Sequence, residues 1–274
     1  MRRRSLLAAW PLVALPRLAT AQALGVTRRP LVFPRDFGAH PDTRTEWWYV
    51  TGWLQPHDAA DDTPTHGFQV TFFRSRTDVS GARESAFAAR QLVFAHAAVT
   101  DVAAKKLRHE QRIARAGFGI AEASTTDTAV TLRDWHLRRS GPVTESRYSA
   151  HVSSESAAFS LDLELDTTQP VLLQGDAGYS RKGPRAEQAS HYYSQPQLAV
   201  NGTLRLDGRT MPVRGKAWLD HEWSETVLDP EAVGWDWIGM NLFDGSALTA
   251  FRIRRADGST LWAGGSFRRA GDVQ

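Results

Sequence analysis

Apolar and polar side chains alternate along most of this chain, with the period of two that sends successive residues to opposite faces of a β-strand. The alternation predicts strands over Trp47–Leu54, Gly67–Arg74, Arg90–Thr100, Ala129–Arg138, Arg147–Val152, Ala158–Leu165 and Pro170–Gln174. It resumes over Leu198–Leu206 and Pro212–Trp218, joined by Asp207-Gly208, a strong two-residue hairpin signal. Trp235–Leu242, Ala247–Arg254 and Leu261–Phe267 follow. The stretch Asp101–Arg115 breaks the pattern and reads as one short helix, because Val102, Lys105-Lys106 and Arg112 fit no alternation. Turn residues recur at Pro56-His57-Asp58, Ser80-Gly81, Ser140-Gly141-Pro142, Gly175-Asp176 and Asp257-Gly258. Many strands separated by turns, without alternating helices, predict an all-β antiparallel barrel or sandwich.

Two tryptophan-dense segments echo each other. Glu46-Trp47-Trp48-Tyr49-Val50-Thr51-Gly52-Trp53-Leu54 leads into a run ending at Arg74, and Gly234-Trp235-Asp236-Trp237-Ile238-Gly239-Met240-Asn241-Leu242 leads into one ending at Arg252-Ile253-Arg254. The echo predicts one β-unit used twice. The boundary falls between Ser224 and Gly234, where Leu228-Asp229-Pro230-Glu231 interrupts the strand pattern. The second unit then has only three strands, whereas a closed barrel takes about eight. Such a sheet leaves open edges. Either it extends the first sheet, or the chain is a shortened version of a longer protein.

Composition changes the picture at the N-terminus. Residues 1–23 read as an export signal: Met1-Arg2-Arg3-Arg4 is basic, Leu6 to Leu15 is mostly apolar, and Ala19-Thr20-Ala21 and Ala21-Gln22-Ala23 fit small-x-small cleavage. Arg3-Arg4-Ser5-Leu6-Leu7 also fits a twin-arginine signal. The expected location is the periplasm or outside the cell. The apolar run is too short to span a bilayer, and no transmembrane segment is expected in the mature chain. Removing the signal takes four of the 33 basic residues and none of the 30 acidic ones, which leaves a net charge of −1. Nothing basic then argues for nucleic acid as a partner, and Lys105-Lys106 reads as a solvated pair. The chain has no cysteine, which excludes disulfides, thiol nucleophiles and Cys-ligated metals. Ten tryptophans and twelve phenylalanines fill a core or line an apolar cavity.

The richest chemical cluster is Trp218-Leu219-Asp220-His221-Glu222-Trp223-Ser224. In an extended chain His221 and Trp223 share one face, and Asp220 and Glu222 the other. The cluster follows the predicted strand Pro212–Trp218, so it is expected at a strand end near a barrel mouth. An imidazole beside an indole suits protonation of an apolar substrate: His221 supplies the proton and Trp223 stabilises positive charge through its ring face. A strand-end knot of hydrogen bonds and ion pairs is the plainer reading. Glu46 opens the aromatic strand and is expected to pair with Arg44 or a neighbouring strand; Asp236, between Trp235 and Trp237, is its equivalent. His40, Tyr192 and Tyr193 are further candidates for a polar-aromatic lining. There is no Gly-x-Ser-x-Gly elbow, His-Glu-x-x-His helix, phosphate loop or dinucleotide fingerprint. No cofactor and no metal are expected, since no histidines stand at ligand spacing.

His40-Pro41-Asp42-Thr43-Arg44-Thr45-Glu46-Trp47-Trp48-Tyr49-Val50-Thr51-Gly52, Tyr192-Tyr193-Ser194-Gln195-Pro196, Ala217-Trp218-Leu219-Asp220-His221-Glu222-Trp223-Ser224 and Gly234-Trp235-Asp236-Trp237 resemble the AttH-like family of secreted proteins grouped with carotenoid 1,2-hydratases. The resemblance implies a lipocalin-like antiparallel β-barrel over residues 30–226 and the start of a second, C-terminally shortened lipocalin-like domain over 234–274. It also implies a ligand cavity in or between the domains. Related members hydrate isoprenoid double bonds, and His221 and Trp223 match the His-x-Trp pair on which the hydratases are thought to depend. The tyrosine and aspartate that follow in those enzymes find only Asp236 and Asp244 here, with no tyrosine. The implied function is binding of an apolar, isoprenoid or lipid-like molecule with metal-free acid catalysis of the hydratase or hydrolase type. Catalysis would fall to His221, Trp223, Asp220 and Glu222, and binding to His40, Glu46, Trp47, Trp48, Tyr49, Tyr192, Tyr193, Trp218, Trp235, Asp236 and Trp237. The rival is a non-catalytic carrier working with transporter components.

Overall fold

The computed structural model describes residues 25–77, 79, 85, 87–225 and 228–272; the expected export signal and the Ser80-Gly81 turn lie outside them. Sixteen strands carry the described fold. In chain order they are β1 (Thr45–Pro56), β2 (His66–Arg76), β3 (Gln91–Asp101), β4 (Lys106–Arg115), β5 (Ala121–Ala123), β6 (Ala129–Leu132), β7 (Trp135–Ser140) and β8 (Arg147–Ser154). Then come β9 (Phe159–Asp166), β10 (Leu172–Leu173), β11 (Tyr179–Arg181), β12 (Ala189–Leu206), β13 (Arg209–Ser224), β14 (Gly234–Asn241), β15 (Ala247–Arg254) and β16 (Thr260–Arg268).

The first thirteen form one antiparallel sheet in the order β4-β3-β2-β1-β13-β12-β9-β8-β7-β6-β5, with β10 and β11 pairing against β12. The sheet curls into a nearly closed barrel. Side chains bridge its end strands: Arg112 of β4 pairs with Asp134, donates to the Ser153 carbonyl at 3.1 Å and lies 4.3 Å over the Trp135 ring. Glu110 accepts from Ser154 and Ser156. These bridges explain why Lys106–Arg115 is a strand, reached from Asp101 by a turn, and the helix expected over Asp101–Arg115 does not form. The β4 positions facing the barrel, opposite Val99, Ala97 and Ala95, are Arg108, Glu110 and Arg112. A closing edge that works by ion pairs has no apolar alternation to read. Elsewhere the interior is packed with side chains such as Trp48, Val50, Phe72, Trp135, Leu161 and Leu219, all fully buried. Each stabilises the barrel by ~1.5–3 kcal/mol through its removal from water.

β12 and β13 are longer than the sequence suggests. β13 continues through Trp218 to Ser224, paired on one side with β1 and on the other with β12. The cluster from Trp218 to Ser224 is therefore embedded in the sheet between two neighbours, and does not stand beyond a strand end. Its carboxylates, serine and histidine hide the strand pattern because both of its faces are covered.

The last three strands form a separate sheet, β14-β15-β16, and do not extend the first. It lies over the outer face of the long strands. Asn241 Nδ2 donates to the Ala217 carbonyl at 3.0 Å, Gln174 Nε2 to Thr249 Oγ1 at 2.9 Å, and Trp262 Nε1 to the Arg181 carbonyl at 3.0 Å. Leu172, Trp218 and Ala247 form a small apolar contact with Trp237 packed on it. The sequence echo is kept in register. Glu46 stands opposite Arg74 and Trp47 opposite Phe73, as Asp236 stands opposite Arg252 and Trp237 opposite Phe251. The echoing glycines are used differently. A Cβ on Gly52 would run first into the Lys216 carbonyl of β13 and then into the Phe68 ring, so Gly52 lets two strands approach closely, whereas one on Gly239 would lie 2.6 Å from the Trp237 ring and 3.1 Å from that of Trp218. No helix among the described residues is long and apolar enough to cross a membrane.

Candidate functional site

Strand alternation splits the candidate residues between two faces of the same three strands. One face looks into the barrel. There β1 contributes Glu46 and Trp48, β13 contributes His221 and Trp223, and β12 contributes His191 and Tyr193, with His221 opposite both Trp48 and Tyr193. Glu46 is completely buried and organises this group. Its Oε1 is 2.7 Å from His40 Nδ1 and 2.9 Å from His221 Nε2; its Oε2 accepts from Arg74 Nε at 2.8 Å and from the His40 backbone N–H at 2.8 Å. His40 Nε2 reaches Asp36 Oδ1 at 3.0 Å, and Arg29 grips the same carboxylate with two nitrogens. The Tyr193 hydroxyl is 3.0 Å from His221 Nδ1, on the far side of the ring from Glu46. Aromatic faces complete the packing: His40 stacks on Trp223 at 3.7 Å, and Trp48 on His221 at 4.5 Å.

The electrostatics follow from burial and partners. Burial disfavours charge on Glu46, but hydrogen bonds from His221 and His40 outweigh it and hold the carboxyl well below the usual range. Asp36 is held low in the same way by Arg29 and His40 against its own burial. Burial pushes the His221 imidazole down, only partly offset by Glu46. The ring is then neutral at pH 7, its Nε2–H donated to Glu46 and its Nδ1 accepting the Tyr193 proton.

His40, Glu46 and His221 are the described trio whose ligand atoms converge closely enough to suggest a metal. The distances speak against one. A tetrahedral ion with bonds of about 2.0–2.1 Å holds its ligand atoms roughly 3.3 Å apart. The 2.7 and 2.9 Å separations here are those of hydrogen bonds, and Arg74 already neutralises the carboxylate. A hollow at the barrel mouth, lined among others by Arg35, His40, His191 and Trp223, brings the edge of this network to the surface.

The other face looks toward the small sheet. It carries Trp47 and Tyr49 from β1, Ser190, Tyr192 and Ser194 from β12, and Trp218, Asp220 and Glu222 from β13. Between the sheets lies a narrow cleft of about 70 Å³, lined by Trp47, Lys182, Glu222, Trp235, Trp237 and Phe251 with Ser224, Leu228 and Ile253. Glu222 accepts from Ser190 and pairs with Lys182 Nζ at 3.0 Å, and that ammonium lies 4.6 Å from the Tyr192 ring centre and 4.2 Å from that of Phe251. Trp237 packs edge-on to Tyr49 at 5.6 Å and donates its Nε1–H to the Tyr192 hydroxyl at 3.2 Å.

Asp220 sits behind this wall. Trp218 Nε1 donates to its Oδ1 at 2.7 Å and Ser194 Oγ donates to the same oxygen. Burial pushes its carboxyl up to about 7, and the nearby charge of Glu222 pushes the same way, against the hydrogen bonds from Ser194, Trp218 and Tyr192. Asp220 is thus a carboxyl that keeps its proton close to neutral pH, joined through Tyr192 to an indole of the cleft.

Residues 25–274 match the sequence signature of the AttH-like family. The chain belongs to that family. A crystal structure of an AttH protein from Nitrosomonas europaea superposes with a TM-score of 0.79 at 49% identity, covering 89% of this chain and 71% of that one. Kievitone hydratase from Nectria haematococca superposes with a TM-score of 0.59 at 13% identity, covering 82% of this chain and 62% of that one, which shows a shared fold. No curated protein sequence matches this AttH-like chain.

Among the expected site residues, the barrel interior gathers His40, Glu46, Trp48, Tyr193, His221 and Trp223. The cleft side gathers Trp47, Tyr49, Tyr192, Trp218, Asp220, Glu222, Trp235 and Trp237. Asp236 joins neither group: it is exposed and paired with Arg252 and Arg254 on the far side of the small sheet. It is equivalent to Glu46 in register and not in environment. Glu46 pairs with Arg74 of the neighbouring strand and not, among its hydrogen bonds, with Arg44. Sequence reasoning missed Arg74, Asp36, Lys182 and Phe251. Arg74 carried a signal, since an arginine closes the second strand in both echoing units.

Proposed function

We propose that this AttH-like chain is an exported protein that binds an apolar, isoprenoid or lipid-like molecule in the cleft between its two sheets and hydrates a double bond of that molecule by acid catalysis. The observation that carries the reading is Asp220: a fully buried carboxyl pushed up to about 7 and linked through Tyr192 to Trp237 of an aromatic cleft. A group titrating near the working pH suits general acid catalysis. We assign the donor's role to Asp220 in place of His221, whose N–H is committed to Glu46.

The step runs as follows. Burial raises the pKa of the Tyr192 hydroxyl, so it acts as a relay: it passes a proton to one alkene carbon, the π pair forming the new C–H bond, as it takes the proton of Asp220. The adjacent carbon becomes a cation facing the rings of Trp47 and Trp237, whose π faces attract positive charge. Water attacks that carbon, and its surplus proton returns through the Tyr192 hydroxyl to Asp220. No cofactor enters this scheme. His221, Glu46 and Tyr193 hold the other face of β13 and so fix the position of Asp220.

The test is incubation with isoprenoid alkenes in heavy-oxygen water. Incorporation of the label by the wild type and its loss in Asp220→Asn support the reading; incorporation unaffected by that substitution contradicts it. One observation favours a second reading, a carrier without chemistry working beside transporter components. Asp220 is only 4% exposed, so its proton reaches the cleft solely through Tyr192. A carrier binds the same ligands in Asp220→Asn and never incorporates label.

A further inference from the structure

The cleft does not end at Trp47. The pairing register sets four apolar side chains side by side on the outer face of the barrel: Trp47 of β1 is opposite Phe73 of β2, Phe73 opposite Phe94 of β3, and Phe94 opposite Ile113 of β4. On the other side Trp47 is opposite Glu222 of the cleft. The rings of Phe73 and Phe94 stack at 4.6 Å with 8° between their planes, which makes them one continuous surface. Trp47, Phe73 and Phe94 are half-buried and Ile113 is 64% exposed. Two residues along each strand, on the same face, the row is bordered by Tyr49, Thr71, His96 and Gln111. An apolar lane with a polar rail thus leaves the cleft and crosses four strands. Neighbouring strands lie about 4.8 Å apart, so the four steps from Glu222 to Ile113 span ~19 Å.

We propose that the ligand is a long linear hydrocarbon chain, with its functional end in the cleft beside Glu222 and Lys182 and its tail laid across Trp47, Phe73, Phe94 and Ile113. This rests on the cleft being the binding site. Three features select this occupant. The lane is continuous with the cleft through Trp47, which belongs to both. It is narrow, since its second flank is Thr45, Ser75, Leu92 and Arg115, of which Leu92 alone is aliphatic, and this fits an extended chain better than a fused-ring body. It has no charged member, while the charged pair Glu222 and Lys182 stands at its inner end, so an amphiphile is oriented head inward. Removing the tail's apolar surface from water strengthens binding with each added segment.

The test is a titration of the full chain by tryptophan fluorescence with two pairs of alcohols, geraniol against geranylgeraniol and octanol against hexadecanol. The long member of a pair is expected to bind at least about tenfold more tightly than the short one. Phe94→Ser and the more exposed Ile113→Ser should each shrink that advantage severalfold while leaving the short member's affinity unchanged. An advantage seen with the isoprenoid pair alone supports a polyene tail, and one seen with both pairs supports any linear chain. Equal affinity for long and short members, or an advantage intact in both variants, overturns the lane while leaving the cleft standing. A wild type that binds none of the four overturns the cleft reading and the lane with it. A dimer in sedimentation that Phe94→Ser abolishes also overturns the proposal, since the row then meets a second copy of the chain.

Discussion

Asp220 and His221 are adjacent in sequence and serve opposite sides of one strand. His221 closes a hydrogen-bonded chain from Tyr193 to Glu46 inside the barrel, and Asp220 holds its proton beneath the wall of the cleft. A single turn of the backbone by one residue would exchange them, so the register of β13 against β1 decides which chemistry faces the ligand.

The interior network should matter first for stability. Glu46→Gln leaves Arg74 buried without its carboxylate, and Arg74 is only 2% exposed. Removing one partner of such a pair costs about 3–5 kcal/mol. Urea denaturation of the variant should show a loss of that order. Glu46→Gln should also weaken the acid sensitivity of the fold. Its carboxyl is held low, so its contribution is present above the ordinary carboxylate value of about 4.5 and is lost as the pH falls further.

Asp220 should give the opposite slope. Its folded-state value, about 7, lies above the ordinary 3.8, so its contribution is complete below that ordinary value and declines as the pH rises to about 7. Between these limits the wild type should lose stability relative to Asp220→Asn by up to about 1.4 kcal/mol per pH unit. Denaturation midpoints of the two proteins, compared from acid to neutral pH, measure the difference directly. Parallel profiles would mean that Asp220 ionises normally.

Gly239 gives a test of the cleft's shape. A methyl group there would meet the Trp237 ring at 2.6 Å and the Trp218 ring at 3.1 Å. Gly239→Ala should tilt Trp237 away from Tyr192, break the 3.2 Å hydrogen bond between them and reduce affinity for apolar ligands about tenfold, with the melting temperature changed by only a few degrees. Fluorescence titration and a thermal scan separate the two effects.

Lys182→Met keeps the stem that packs over Tyr192 and Phe251 but removes the charge beside Glu222. Among the described residues Glu222 then keeps Ser190 as its hydrogen-bond partner and loses its counter-charge. Urea denaturation of the variant should show a loss of about 3 kcal/mol, the cost of breaking a buried ion pair. An unchanged midpoint would show that Lys182 does not neutralise Glu222.

Much of the architecture is legible in the alternation of side chains. The strands around Trp47, Phe72, Leu161 and Leu204 have one face in the core and announce themselves. β4 does not, because Arg108, Glu110 and Arg112 close the barrel edge with polar bonds. The ends of β12 and β13 do not, because a sheet covered on both faces shows no alternation, and one of its covers is itself a second sheet. The site residues were named by type and motif, and the split of Asp220 from His221 followed from strand geometry alone. Their partners were not legible, since Glu46 and His221 stand 175 positions apart and meet only through the pairing of β1 with β13.

The most direct test of the account is mass spectrometry of small molecules carried by the protein after export and gentle purification, comparing the wild type with a cleft variant, Trp237→Ala, and an interior variant, Tyr193→Phe. An apolar, linear molecule is expected on the wild type and on Tyr193→Phe, and none on Trp237→Ala. A polar ligand, or an apolar one that Trp237→Ala keeps and Tyr193→Phe loses, would contradict it.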